Sequence, residues 1–144
     1  MKNNKLIFIR NLFAINVPTI IAILVSQFCG GGFVNASMLI IYVIYCIAMV
    51  YPIGVLGVEL SDNKIVNLIS LSVGAIILSI IVIFSYDTNA IMIFFTNVSC
   101  VALSFIKIDL SYSAEFILVR LFQILSVVFP YCMCGVGIKI QSSW

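Results

Sequence analysis

The chain alternates between long apolar runs and short polar segments. Five runs can be traced, and each is close to the roughly 20 residues that a helix needs to cross a bilayer. They cover residues 11–29, 34–58, 65–84, 90–106 and 116–138. This pattern predicts an all-α fold, a polytopic transmembrane helical bundle of about five membrane-spanning helices in a single domain over residues 1–144. A four-span version, in which one run is re-entrant, is the alternative.

The polar segments between the runs indicate where the chain turns. Three consecutive glycines follow the first run, residues 59–64 (ELSDNK) form the clearest polar loop, and residues 85–89 (SYDTN) separate the third run from the fourth. Pro52 has no N–H to donate to the carbonyl of Ala48, so we expect a kink near the end of the second helix.

Composition supports a membrane protein. Apolar residues make up 64% of the chain and charged residues 8%, whereas soluble domains are about 25% charged. So few polar side chains cannot cover a water-soluble surface, and the lipid bilayer is the expected surrounding. The net charge of +2 gives no indication of a nucleic-acid partner.

The basic residues predict how the chain is threaded. Lys2, Lys5 and Arg10 precede the first run, which places the N-terminus in the cytoplasm by the positive-inside rule. With five spans, Lys64 and Lys107 lie on that side too, the C-terminus lies outside, and Lys139 is the exception. Isoleucine is preferred to leucine, and asparagine and lysine dominate the polar positions. This composition favours a bacterial cytoplasmic membrane.

Several kinds of chemistry are disfavoured. The chain has no histidine, the commonest general base and transition-metal ligand. All five cysteines fall in apolar runs, where a thiol behaves as a small hydrophobic group. Cys132 and Cys134 are two positions apart, so on a helix they point about 200° from each other. We therefore expect no metal, no cofactor and no enzymatic activity, and an intramembrane enzyme without histidine is a less favoured alternative.

Small residues suggest where helices pack closely. In the third run, Ser70 and Gly74 share one face, and Ser72, Ala75 and Ser79 share a neighbouring face. Membrane helices associate where small side chains let their backbones approach. Both faces are predicted to lie at helix–helix contacts.

Polar residues in or beside the runs are the candidate functional positions, since ionisable groups in membrane segments commonly serve a function. Isolated amides in such runs usually bond neighbouring helices, and coordination of a solute is the alternative. The candidates for a pathway or for interhelical polar contacts are Arg120, Gln123, Asn97, Asn16, Asp109 and Glu115.

Arg120 has two interpretations. It can extend its side chain to the lipid headgroups, or it can face the bundle interior together with Gln123. In the second case Asp109, Asp62 or Glu59 would supply the counter-charge. Glu115 is a poor partner, because a separation of five residues places it about 140° away around the same helix.

The leading functional hypothesis is a non-enzymatic transport or channel-type subunit. It would act as a homo-oligomer or within a larger membrane complex, with Arg120, Gln123 and Asn97 lining a pathway between protomers. The alternative is an accessory, immunity or regulatory protein that packs against another membrane protein. The two differ in whether the purified protein alone moves a solute.

Overall fold

The computed structural model describes residues 3–28, 36–84, 90–104 and 112–142, and within these ranges every regular element is an α-helix. One helix lies in each predicted run, which confirms the predicted all-α bundle. The helices are α1 (Asn4–Phe28), α2 (Ala36–Val50), α3 (Lys64–Phe84), α4 (Ala90–Ser104) and α5 (Tyr112–Ser142).

Among the described residues, three helices (α1, α3 and α5) are long and apolar enough to cross a membrane. Large apolar side chains are exposed along α1, α2, α3 and α5, as expected of helices that face lipid. α5 has 31 residues, about 46 Å at 1.5 Å per residue, and is therefore longer than the hydrocarbon core of about 30 Å. α2 is apolar but has 15 residues, or about 22 Å.

The end of α2 differs from the prediction. The second run extends to residue 58, but the helix stops at Val50. Pro52 cannot donate to the helical ladder, and the chain continues in turns, with Val58 N bonded to Pro52 O at 3.0 Å. Gly57 has a φ of 72°, a conformation that glycine adopts without strain. Pro52 therefore ends the helix instead of kinking it, and Gly57 belongs to the turn that follows.

The α2–α3 connection, residues 51–63, binds the beginning of α1. Arg10 pairs with the Glu59 carboxylate at 2.6 Å. The Asn11 amide makes two bonds with the backbone of Glu59: its Nδ2 donates to the carbonyl at 2.6 Å, and its Oδ1 accepts from the N–H at 2.9 Å.

We call the end of the bundle where α1 begins the near end, and the opposite end the far end.

α5 ends at the near end as well. The Gln141 side chain accepts a hydrogen bond of 2.9 Å from the N–H of Ile53 in the α2–α3 connection. A side chain added at Gly137 would overlap the carbonyl oxygen of Val50, so α5 and the end of α2 approach closely there. At the other end of α5, Arg120 donates to the carbonyl of Val82 in the last turn of α3. α5 therefore runs from the far end to the near end.

This direction of α5 determines how often the chain crosses. Because α3 ends and α5 begins at the far end, α4 between them does not complete a crossing. Here the structure differs from the five-span prediction: the beginning of α1 and the end of α5 lie at the same end of the bundle, as in the four-span alternative. Lys139, the exception in the charge argument, lies near the end of α5 and therefore on the same side as Lys5 and Lys64.

The helices pack around α1 and α5, each of which contacts α2, α3 and α4. Ser70 and Gly74 are buried, and a side chain at Gly74 would overlap Asn16 of α1 and Tyr131 of α5. This predicted small-residue face is therefore a helix contact within the chain. The largest fully buried apolar side chains are those of Phe94, Phe95, Ile15, Met38, Met49, Val82 and Val127.

The placement of the ends can be tested with topology reporters. Fusions after Asn63 and after Ser142 should report the same side of the membrane, because Gln141 is bonded to the α2–α3 connection. A fusion after Phe84, at the end of α3, should report the opposite side and serves as the control. Opposite readings after Asn63 and Ser142 would contradict the four-span arrangement.

Candidate functional site

A central polar cluster joins three helices. Tyr131 of α5 donates to Asn16 Oδ1 of α1 at 2.7 Å. Thr19 Oγ1, also on α1, lies 2.6 Å from the hydroxyl of Tyr45 on α2 and 3.3 Å from that of Tyr131. Asn16 also donates to the carbonyl of Leu12 at 2.7 Å. Each of these polar side chains therefore has a partner inside the bundle.

The cluster explains the tight packing of α3. Asn16 lies against Gly74, where no side chain fits. Sequence reasoning identified Asn16 as a polar residue in an apolar run, but it missed Thr19, Tyr45 and Tyr131. Their hydroxyl groups, which lie within apolar runs, could have indicated a polar cluster, since a buried tyrosine usually needs a hydrogen-bond partner.

A second polar group, the far cluster, joins α3, α4 and α5. Arg120 Nη1 donates to Val82 O at 3.0 Å and lies 3.3 Å from Gln123 Oε1. Gln123 is buried and donates from Nε2 to Thr96 Oγ1 of α4 at 2.9 Å. Arg120 and Gln123, proposed from sequence to share a face, therefore do lie together.

The acceptor on α3 suggests what Arg120 does. The last four carbonyls of a helix have no partner in that helix, and the C-terminus carries a partial negative charge. Val82 is in that last turn, so the half-buried Arg120 caps α3 from a neighbouring helix. Its guanidinium also lies 5.5 Å from the centroid of the Phe116 ring, within cation–π range. Neither sequence interpretation included this capping role.

The proposed counter-charges lie elsewhere. Glu59 is bound to Arg10 at the near end, and Asp62 is in the same connection, so neither can neutralise Arg120. Glu115 is exposed on α5. Asp109 and the side chain of Asn97 are outside the described residues. In the Arg10–Glu59 ion pair, the two side chains are 55% and 40% exposed. Such surface pairs contribute little to stability.

A proline in α5 creates a further polar contact. Pro130 has no N–H, so the carbonyl of Ser126 four residues earlier loses its helical donor. The hydroxyl of Tyr42 on α2 donates to that carbonyl at 2.6 Å. An unpaired carbonyl would cost several kcal/mol in lipid, and Tyr42 removes that cost while fastening α2 to α5.

Two open grooves lie between the described helices. One of about 670 Å³ lies between α1 and α2, and one of about 340 Å³ lies between α1 and α3 near Ile91. Most of their walls are apolar. The far cluster lines neither groove.

Metal binding finds no support in the described part of the chain, where no three potential ligands lie together. Cys46 and Cys134 are buried, Cys100 is half-buried and Cys132 is exposed. The arrangement can hold helices together.

Comparison of the chain with protein-family models, with curated proteins and with solved structures gives no match. The argument for function therefore rests on the geometry described above.

The contact between Tyr42 and the proline carbonyl can be tested with a double-mutant cycle. Tyr42→Phe removes the donor to Ser126 and should lower the free energy of unfolding by about 1–3 kcal/mol. Pro130→Ala restores a backbone N–H that can bond Ser126, so Tyr42→Phe should cost much less in that background. The measurement is unfolding in detergent micelles for the four proteins. An equal cost in both backgrounds would contradict the role assigned to Tyr42.

Proposed function

We propose that the protein is a non-enzymatic integral membrane subunit of the accessory, immunity or regulatory type, which packs against another membrane protein. This proposal is supported by the hydrogen bonds that the polar groups inside the bundle form with other parts of the chain. Asn16, Thr19, Gln123 and Arg120 form hydrogen bonds between or at the ends of helices. Asn16 and Thr19 do line the α1–α3 groove, but their side chains are bonded to Tyr131 and Tyr45. A pathway through one copy would need polar groups that are free to bind a solute.

The lateral surface offers a place for association. Ala75 of α3 packs against the buried core, but Ser72 and Ser79 are half-buried on a different face from the buried Ser70 and Gly74. They lie beside the exposed Ile76 and Ile80. Since small residues let a second backbone approach, this face, called here the outer small face, suits a transmembrane helix of a partner.

The location follows from charge and composition. Lys5, Arg10, Lys64 and Lys139 belong to the near end, and cytoplasmic segments carry the excess of basic residues. We therefore propose that the near end, with the N-terminus, faces the cytoplasm. The bias toward isoleucine, asparagine and lysine supports a bacterial cytoplasmic membrane.

A second candidate is a transport or channel-type subunit that acts as a homo-oligomer. The observation that favours it is the far cluster, where a half-buried cation lies beside a buried amide. A pathway would then run between copies at the far end, with Arg120 and Gln123 on its wall.

An association experiment tests the leading proposal. Cross-linking in native membranes should trap a complex larger than the monomer, and Ser72→Leu with Ser79→Leu should reduce it at least several-fold by blocking close approach. Ile76→Leu with Ile80→Leu, on the neighbouring exposed surface, is the matched control and should have no effect. Equal cross-linking in both variants would contradict the outer small face as the contact.

A flux measurement separates the two candidates. Purified protein in liposomes should give no more ion or solute flux than empty liposomes if it is an accessory subunit. Flux above that background, lowered by Arg120→Lys, would favour the transport candidate and overturn the leading one.

A further inference from the structure

Arg120 carries a full positive charge, and the described acceptors of its hydrogen bonds are neutral. Its Nη1 donates to the carbonyl of Val82 at 3.0 Å and to Gln123 Oε1 at 3.3 Å. The end of a helix offers only about half a negative charge, so Val82 compensates the guanidinium in part. Because Arg120 is half-buried, its charge is costly unless an anion lies beside it.

The described carboxylates do not supply that anion. Glu59 and Asp62 lie at the near end, where Glu59 is paired with Arg10. Glu115 is on α5 itself and exposed, and a separation of five residues turns it about 140° away from Arg120 around the helix. Among the described residues, Arg120 is therefore a membrane cation whose counter-charge must come from another source.

Arg120 lies at the level of a bilayer boundary. α3 has 21 residues, about 31 Å at 1.5 Å per residue, which matches the hydrocarbon core of about 30 Å. Val82 is two residues before Phe84, the last residue of α3, so the bonded guanidinium lies about 3 Å from that end. The headgroups of a bilayer flank its hydrocarbon core. Arg120 is therefore within reach of the lipid phosphates at the far end.

The surface of α5 around Arg120 is apolar and open to lipid. Phe116, Ile117 and Leu121 are each more than half exposed. The guanidinium lies 5.5 Å from the centroid of the Phe116 ring, while Gln123 on its other side is buried. Arg120 thus lies between the buried amide and the exposed ring, where a lipid headgroup can approach it from the side.

Charge, depth and access together define a ligand chemistry. We propose that Arg120 binds the phosphate of a phospholipid in the leaflet at the far end of the bundle. The phosphate supplies the negative charge, and its oxygens match the fork of N–H donors on a guanidinium. The acyl chains of this lipid lie along Ile117 and Leu121.

Lipid binding and helix capping by Arg120 are compatible. A guanidinium has five N–H donors, and the bonds to α3 and Gln123 both come from Nη1. A phosphate on the edge formed by Nε and Nη2 therefore leaves the cap of α3 intact. The contact with Phe116 limits the orientations of the guanidinium. This site does not depend on the accessory function proposed above.

The experiment measures lipid affinity by native mass spectrometry of the purified full-length protein in a maltoside detergent and a phosphate-free buffer. The two probes are dioleoyl phosphatidylglycerol and dioleoylglycerol, which has the same acyl chains but no phosphate. The phosphatidylglycerol should bind about ten-fold more tightly, as expected for hydrogen bonds to a charged group. Equal affinities for the two lipids would overturn the proposal.

Three variants locate the site. Arg120→Gln removes the charge and should make the two affinities equal. Arg120→Lys keeps the charge without the fork and should weaken phosphatidylglycerol binding several-fold, with no change for dioleoylglycerol. Lys64→Gln removes an exposed cation at the near end and is the matched control, which should change neither affinity.

A loss of affinity in Lys64→Gln as large as that in Arg120→Gln would contradict the site, because it would mean a general attraction to basic residues. If Arg120→Gln does not fold, Arg120→Lys decides. An unchanged affinity for phosphatidylglycerol in that variant would overturn the proposal.

The same measurement distinguishes two other anions. Inorganic phosphate in large excess should not displace the phosphatidylglycerol, because it lacks acyl chains, and displacement would assign the site to a soluble phosphate instead. Asp87→Asn and Asp109→Asn, at positions outside the described residues, should leave the lipid affinity unchanged. A several-fold rise in either variant would mean that a carboxylate of the chain occupies Arg120, and would overturn the proposal.

Discussion

The structure depends on one constraint: lipid offers no hydrogen-bond partners, so a polar group inside the bilayer must find its partner within the protein. The described helices meet this constraint with side chains. Tyr42 donates a hydrogen bond to the carbonyl that lacks its helical donor because of Pro130. Tyr131 donates to Asn16, and Arg120 donates to a carbonyl in the last turn of α3. Because lipid gives apolar helices little reason to associate, these bonds and close approaches such as that at Gly74 set the positions of the helices.

The same constraint acts at the near end, where the chain leaves its helices. The α2–α3 connection has backbone groups outside any helix, and side chains of three helices bond them: Asn11 at Glu59, Asn67 at Ser61 and Gln141 at Ile53. These bonds hold the beginning of α1, the beginning of α3 and the end of α5 together. They explain why the beginning of α1 and the end of α5 meet at one end of the bundle.

The helices could be predicted from sequence because the length and apolarity of each run are local properties. The end of α2 could not be placed correctly, since a proline in a membrane helix either kinks or ends it according to its neighbours. The apolar run of α4 does not show whether this helix spans the bundle from end to end. The direction of α5, which depends on it, therefore could not be predicted from sequence. Asn16 and Arg120 were identified as polar residues in apolar runs. Their partners were missed because hydrogen bonds between helices depend on an arrangement that no single run encodes.

The central claim is that interior hydroxyls and amides stabilise the bundle by pairing with one another, and Tyr131 tests it most directly. Its hydroxyl bonds Asn16 and lies beside Thr19, whereas the side chain of Tyr51 is 51% exposed. The measurement is the free energy of unfolding of Tyr131→Phe and Tyr51→Phe in the same bilayer mimetic. Tyr131→Phe should lose about 1–3 kcal/mol, because Asn16 is left without its donor, and Tyr51→Phe should lose almost nothing. Equal losses in the two variants would contradict the account.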